Sequence, residues 1–240
     1  MERKKYIQIA FISLLLYPLS GQNNHTIYHA FAAGNMKKWK TAMDSIEAIT
    51  HKSNKELLDL LNYQYGYIAF NLGKKNAQEA DKYMIKAYTD LKLLEKNKYN
   101  LPVLYAYKAA LTGFEIGLHP YKAPFIGPKS IEYAKISVKL DSANAMGYIQ
   151  LGNIAYYMPS MFGGSKAEAL IYYLKALSIS EKKIECKNHN WNYLNLLSII
   201  IKAHMDLGQY HHAETYCKKA LAVEPGFDWV KNNLYPQVLK

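Results

Sequence analysis

"LGQYHHAETYCKKALAVEP", residues 207–225, decides how the rest of the chain is interpreted. The stretch contains two histidines and a cysteine, which suggest a metal site, and it also contains Ala213 and Ala220, two helical turns apart. Alanines at that spacing leave a shallow groove on one face of a helix, so that a partner helix can pack closely. The stretch therefore predicts either a metal-binding helix or one half of a helical hairpin.

The positions of the possible ligands argue against a metal site. His211 and His212 are adjacent, so on a helix their side chains point about 100° apart, and Cys217 holds the inward position between the two alanines. Cys186 and His189 form a possible half-site, but no second pair has ligand spacing. The sequence thus predicts no metal site and no cofactor. It leaves open a disulfide between Cys186 and Cys217.

Helical periodicity runs through the chain, and the alternation typical of strands is nearly absent. Pro128 marks one expected helix start. Capping sequences, with a polar residue three positions before an acid, mark others at Ser53–Glu56, Asn76–Glu79 and Ser165–Glu168. Three helices share one frame of small, larger apolar and small residues: Ala80-x3-Met84-x2-Ala87, Ala169-x3-Tyr173-x2-Ala176 and Ala213-x3-Cys217-x2-Ala220. We therefore predict an all-α protein.

The motif Tyr148-x2-Leu151-Gly152, followed by the Ala169 frame, resembles a tetratricopeptide repeat, and so does the run from Gly208 to Pro225. The spacing between successive frames is longer than the ~34 residues of that family. The resemblance implies a right-handed α-solenoid of about five helix hairpins over residues 22–240, with a C-terminal capping helix. A cap is needed because the last repeat of a solenoid otherwise exposes its stacking face.

The resemblance also implies that the first helix of each hairpin lines a concave groove that binds an unidentified protein or peptide partner. Tyrosine and amide side chains suit such contacts, since tyrosine offers a large contact area and a hydroxyl group. The residues predicted to line the groove and bind the partner are Tyr63, Tyr67, Phe70, Asn71, Asn153, Tyr156, Tyr157 and Lys202.

Two irregular loops are a second candidate for binding. Residues 119–130 and 158–166 each join the two helices of neighbouring hairpins, so both loops are expected at the same edge of the array. Phe125, Met161 and Phe162 either fold back over the hairpin ends or hold a partner. The loop from Pro159 to Gly164 resembles a loop of the helical-repeat component associated with some bacterial periplasmic transport systems.

Residues 1–21 have the pattern of a secretory signal peptide, with basic residues before an apolar stretch and small residues at its end. We expect cleavage near Gly21 and a periplasmic or extracellular protein that is not an integral membrane protein. The formal net charge is +11, but Arg3 is the only arginine. Because recognition of phosphates and bases relies on guanidinium groups, we expect no nucleic-acid partner.

No nucleophile elbow, metalloprotease motif, phosphate-binding loop or dinucleotide-binding glycine pattern is present. We therefore predict a protein that is not an enzyme. The first hypothesis is an exported scaffold that binds a protein or peptide through its groove and its loop edge. The alternative is a carrier of a small ligand or glycan that works with an envelope transport system.

Overall fold

The structure is a computed structural model that describes residues 19–182 and 189–240, with side chains from Asn24 onward. Most of the predicted signal peptide lies outside the described residues, so cleavage near Gly21 stays a prediction. Cys186 also lies outside the described residues. Cys217 is buried and has a free thiol.

The described residues form eleven α-helices and contain no β-strand, so the predicted all-α class is confirmed. The helices are α1 Leu19–Ala32, α2 Met36–Glu47, α3 Asn54–Gly73, α4 Ala77–Lys96, α5 Leu101–Leu118, α6 Ala123–Leu140, α7 Ala145–Tyr157, α8 Lys166–Glu181, α9 Trp191–Asp206, α10 Tyr210–Val223 and α11 Tyr235–Val238. Short 3₁₀ helices occupy Pro120–Lys122 and Ser160–Phe162, and a π-helix occupies Trp229–Leu234. Within the described ranges, no helix is both long and apolar enough to span a membrane.

Consecutive helices pack as five successive pairs, from α1 with α2 to α9 with α10. Neighbouring pairs touch through the second helix of one and the first helix of the next, as α4 touches α5 and α8 touches α9. This is the chain order expected of stacked hairpins. The right-handed solenoid stays a prediction.

The capping sequences start helices where they are expected. The Ser53 hydroxyl accepts a hydrogen bond from the Glu56 backbone N–H at 3.2 Å, and the Glu56 carboxylate accepts one from the Ser53 N–H at 2.8 Å. Ser165 caps α8 by accepting from the Glu168 N–H at 3.2 Å. These bonds satisfy N–H groups that have no partner within the helix.

The expected helix start at Pro128 is wrong. Helix α6 begins at Ala123 and contains Pro128 inside it. Proline is compatible with the helical φ, and its cost in a helix interior is the loss of one backbone hydrogen bond and a clash with the preceding turn. Here that loss falls in the second turn, close to the end where N–H groups have no partners within the helix anyway.

The small residues of the shared frame face inward. Ala80, Ala169, Ala213 and their partners two turns later are all fully buried. Gly152 allows a close approach between α7 and α8, because a Cβ atom there would lie 2.4 Å from the Tyr173 ring. The frame therefore sets how near the two helices of a hairpin come.

The first and last hairpins also meet, through an aromatic junction formed by Phe31, Trp39, Tyr65, Trp191 and Phe227. The Trp191 ring lies 4.9 Å from Trp39, 5.4 Å from Phe31 and 6.2 Å from Tyr65, between ring centroids. Phe31 also lies 5.5 Å from Phe227. Because α1 contacts α9, the junction fills the space between the two ends of the helical array.

Residues after α10 pack against the last hairpin, and their role as the cap of a solenoid stays a prediction. Phe227, Val230 and Leu234 are buried. The π-helix packs against both α9 and α10, and α11 packs against α10. The stacking face of α10 is thus shielded from water.

Gly66 provides a test of the aromatic junction. A Cβ atom there would lie 2.8 Å from Trp191 and 2.9 Å from Trp39, whereas one at Gly113 meets nothing within 4 Å. We expect Gly66→Ala to lower the free energy of unfolding by about 1–2 kcal/mol, the cost of overpacking less the gain in helix propensity. Gly113→Ala should raise it by up to about 1 kcal/mol. Urea unfolding followed by circular dichroism measures both, and equal gains would contradict the close packing.

His204 on α9 should make stability depend on pH. Its Nδ1 lies 2.7 Å from Oε1 of Gln209, and burial lowers the pKa of His204 below 6.5. As pH falls through about 6.5, the unfolded chain binds a proton at this position and the folded chain does not, so folding stability drops. His204→Phe should reduce the stability lost between pH 7.5 and 5.5 in urea unfolding. The same loss in wild type and variant would rule out this role.

Candidate metal centre

Three of the predicted groove residues on α3 are buried in the free protein. Tyr63, Tyr67 and Asn71 have little exposed surface, and the Tyr67 hydroxyl donates to Glu79 at 3.2 Å. The Asn71 amide donates to the Tyr67 carbonyl at 2.8 Å. These side chains therefore do not line an open surface, because packing between helices uses them. Phe70, on the same helix, is at the surface.

The groove residues of α7 and α9 lie at the surface or partly buried. The Tyr156 hydroxyl donates to the Asp206 carboxylate, and the Lys166 ammonium donates to the same carboxylate at 2.9 Å. Asn153 accepts a hydrogen bond from the Tyr173 hydroxyl at 2.9 Å. Tyr157 is exposed and Lys202 is partly buried. Their role in binding stays a prediction.

The predicted loop residues are exposed. Phe125 is 78% exposed, Met161 81% and Phe162 68%. They therefore do not fold back as plugs over the ends of the hairpins. Whether they hold a partner stays a prediction.

Elsewhere in the structure, three histidine side chains that could bind a metal lie close together. His25 and His29 lie on α1, and His189 lies just before α9; we call these three residues the histidine cluster. One ligand nitrogen from each of the three lies within 4.8 Å of those of the other two, and all three side chains are exposed. The Nε2 atoms of His25 and His29 are 3.1 Å apart.

Local structure fixes these positions. His25 and His29 are four residues apart, so they project from the same face of α1 in successive turns. His189 adopts a left-handed backbone conformation with φ of 49°, directly before Asn190, which caps α9. Phe31 and Trp191 of the aromatic junction are each two residues beyond a histidine of the cluster, and their rings are in contact. The junction thus holds the two parts of the cluster against each other.

Tyr28 and Glu224 border the cluster. The Tyr28 ring stands edge-on to His29 at 5.3 Å and to His189 at 5.0 Å. Burial raises the pKa of Tyr28, and so does the negative charge of the nearby Glu224. Tyr28 therefore remains a neutral phenol that packs against two imidazoles and holds a carboxylate nearby.

Partial burial lowers the pKa of His29, and the neighbouring His25 lowers it further. Glu224 acts in the opposite direction, and Lys38 acts with His25. His29 is consequently neutral near pH 7, so one ring nitrogen carries an available lone pair. That is the form of histidine that binds metals.

The spacing suits a transition-metal ion. Two nitrogens at ~2.0–2.1 Å from a tetrahedral zinc ion are about 3.3 Å apart, close to the 3.1 Å between His25 and His29. Imidazole is a preferred ligand of zinc, copper, iron and nickel. The residues present therefore fit a metal centre with three nitrogen ligands.

The sequence prediction of no metal site overlooked this cluster. The ligands weighed from sequence were His211, His212 and Cys217, and His189 only as a half-site with Cys186; among the described residues, His211, His212 and Cys217 do not converge with the spacing of metal ligands. The available signal was the pair His25-x3-His29, four residues apart at the start of the predicted domain. Pairing His189 with them needed the contact between α1 and the start of α9.

No protein-family model matches the chain, and no curated protein matches it in sequence. In structure the chain is similar to the HusA haemophore from Porphyromonas gingivalis, with a TM-score of 0.58 and 16% sequence identity. The similarity covers 78% of this chain and 94% of that chain. At this identity the likeness shows that the two proteins share a helical fold.

Proposed function

We propose that this protein is an exported carrier of a small ligand that contains a transition metal, bound through imidazole nitrogens of the histidine cluster. The observation that carries the proposal is the cluster itself. It places His25, His29 and His189 within 4.8 Å of one another on an exposed surface. Exposure suits a carrier, which must both take up its ligand and release it.

The structural neighbour supports this class of function. HusA is a haemophore, and haem contains an iron that accepts imidazole as an axial ligand. Function does not follow from a shared fold. The neighbour therefore indicates which ligand to test, and the histidines supply the chemistry that would hold it.

The packing of α3 favours a carrier over the groove-binding scaffold. A peptide groove needs Tyr63, Tyr67 and Asn71 on an open wall, and these residues are buried. The aromatic junction also joins the two ends of the array, which removes the open space between them. The histidine cluster lies outside this packed interior and is accessible without rearrangement.

Export forms part of the proposal and rests on residues 1–21, whose basic start and apolar stretch predict a signal peptide. The tetratricopeptide resemblance then describes the scaffold on which the cluster is mounted. Association with a periplasmic transport system would give the carrier a place to deliver its ligand.

Two probes test the proposal, haemin and Ni²⁺ added as a simple salt. We expect at least one to bind the wild-type protein and to bind His25→Ala/His29→Ala more weakly by at least about tenfold. The matched control is His51→Ala/His211→Ala, which removes two exposed histidines outside the cluster. An absorption titration measures haemin binding, and calorimetry measures Ni²⁺ binding. The proposal fails if neither probe binds or if the control loses as much affinity.

The exposed loop edge favours a second candidate, the protein-binding scaffold. Phe125, Met161 and Phe162 expose large apolar side chains to water, which is costly unless a partner covers them. In this candidate the helices position the two loops and the partner contacts the loops.

The scaffold candidate predicts that Phe125→Ser/Met161→Ser/Phe162→Ser keeps its helicity but loses a stoichiometric partner recovered from envelope extract. Ile85→Ser/Ile171→Ser is the control, since these two residues are 64% and 67% exposed on other helices. Equal recovery by all three proteins would exclude the loop edge as the partner site.

A further inference from the structure

We infer that the ligand of the histidine cluster is a free divalent ion of zinc, copper or nickel, bound by His25, His29 and His189 together, and not iron inside a porphyrin. This inference rests on the proposed function and narrows its ligand.

The separation of the nitrogens argues against a haem that is bound by His25 and His29 together. A porphyrin occupies four positions around its iron, so each face of the ring accepts a single axial ligand. Two imidazoles on opposite faces would have nitrogens about 4 Å apart, at roughly 2 Å each from the metal. The Nε2 atoms of His25 and His29 are 3.1 Å apart, and no ring fits between two neighbouring turns of one helix. A free ion, by contrast, accepts them at adjacent positions.

His189 supplies the third nitrogen, so that one ion could be bound by three histidines from the same side. The His189 ring lies 4.7 Å from His25 and 5.6 Å from His29 between centroids, and one ligand atom from each histidine lies within 4.8 Å of the others. To bind one ion, the three nitrogens would come from separations of at most 4.8 Å to about 3.3 Å, a change on the scale of a side-chain rotation. All three residues are exposed, so water would have access to the remaining coordination positions of a bound ion.

The ligand types select the later transition metals. The cluster offers nitrogen alone, whereas magnesium and calcium require oxygen ligands. Affinity for nitrogen sites rises along the first-row series to copper and remains high for zinc. Zinc, copper and nickel therefore fit this donor set better than the hard cations.

The charges beside the site allow a cation to bind. Glu224 lies close enough to act on His29 and on Tyr28, and its carboxylate accepts a hydrogen bond from the Gly226 N–H at 3.0 Å. Lys38 is the opposing charge that acts on His29. A carboxylate held near metal-binding imidazoles is a common outer-shell partner that orients ligands and balances charge.

The ion would also join two distant parts of the chain. His25 and His29 precede the second hairpin, and His189 begins the last one, so a bound ion crosslinks α1 to the start of α9. A ligand that binds only the folded state stabilises it by an amount that rises with the logarithm of the ligand concentration above the Kd. Metal binding is therefore measurable both as heat and as a rise in melting temperature.

The decisive experiment titrates Zn²⁺, Ni²⁺ and Cu²⁺ into the full protein and into the variants His29→Ala, His189→Ala and His51→Ala. We expect a one-to-one complex and a higher melting temperature in wild type and in His51→Ala. In the two cluster variants we expect at least about tenfold weaker binding. Electron paramagnetic resonance of the Cu²⁺ complex should show three coordinated nitrogens in wild type and two in His189→Ala.

The outcomes separate this inference from the proposed function. If haemin binds through the cluster and the free ions do not, the ligand inference is overturned and the carrier proposal stands. If His189→Ala binds the ions as tightly as wild type, the three-nitrogen site is wrong. If neither haemin nor any ion binds, both proposals fail. Circular dichroism of each variant confirms that weaker binding does not come from unfolding.

Discussion

The burial of Trp191 at the junction of the first and last hairpins is the constraint on which the rest of this structure depends. Stacked helix pairs normally bury their apolar faces against the next pair and leave their ends apart. Here the Trp191 ring contacts Phe31, Trp39 and Tyr65, so pairs far apart in sequence share one aromatic core. Gly66 is necessary for this contact, since its missing side chain leaves room for both tryptophans.

The contact between the first and last hairpins determines which surfaces are available for binding. Tyr63 lies next to the junction, where the Trp39 indole N–H donates to its carbonyl at 3.2 Å, and its side chain is buried. The aromatic side chains of α3 therefore contribute more to packing than to recognition of a partner. The same closure brings α1 against the start of α9, and it creates at the surface an arrangement of imidazoles that neither element has by itself.

Local sequence signals predicted much of the fold and little of the site. The Ala169 frame and the Ser53 cap depend on residues a few positions apart, and the structure confirms them. Pro128 shows the limit of a local rule, because the chain preceding it is also helical. His189 was not predictable as a partner of His25, since no spacing relates residues whose proximity comes from contact between the first and last hairpins. A single sequence contains the periodicity of each helix but not the curvature that brings its ends together.

Closure between the ends also has a consequence for the order in which the molecule is assembled during synthesis. Helix α1 leaves the ribosome before the other described helices, but its aromatic partners in α9 and in the segment around Phe227 are made much later. The early hairpins can stack as they emerge, whereas Phe31 and Trp39 must wait for Trp191 to bury their exposed faces. A nascent chain that stops before residue 189 lacks one imidazole and the junction that positions the other two. In the proposed function, the ligand can therefore bind at this surface only after α9 has been made.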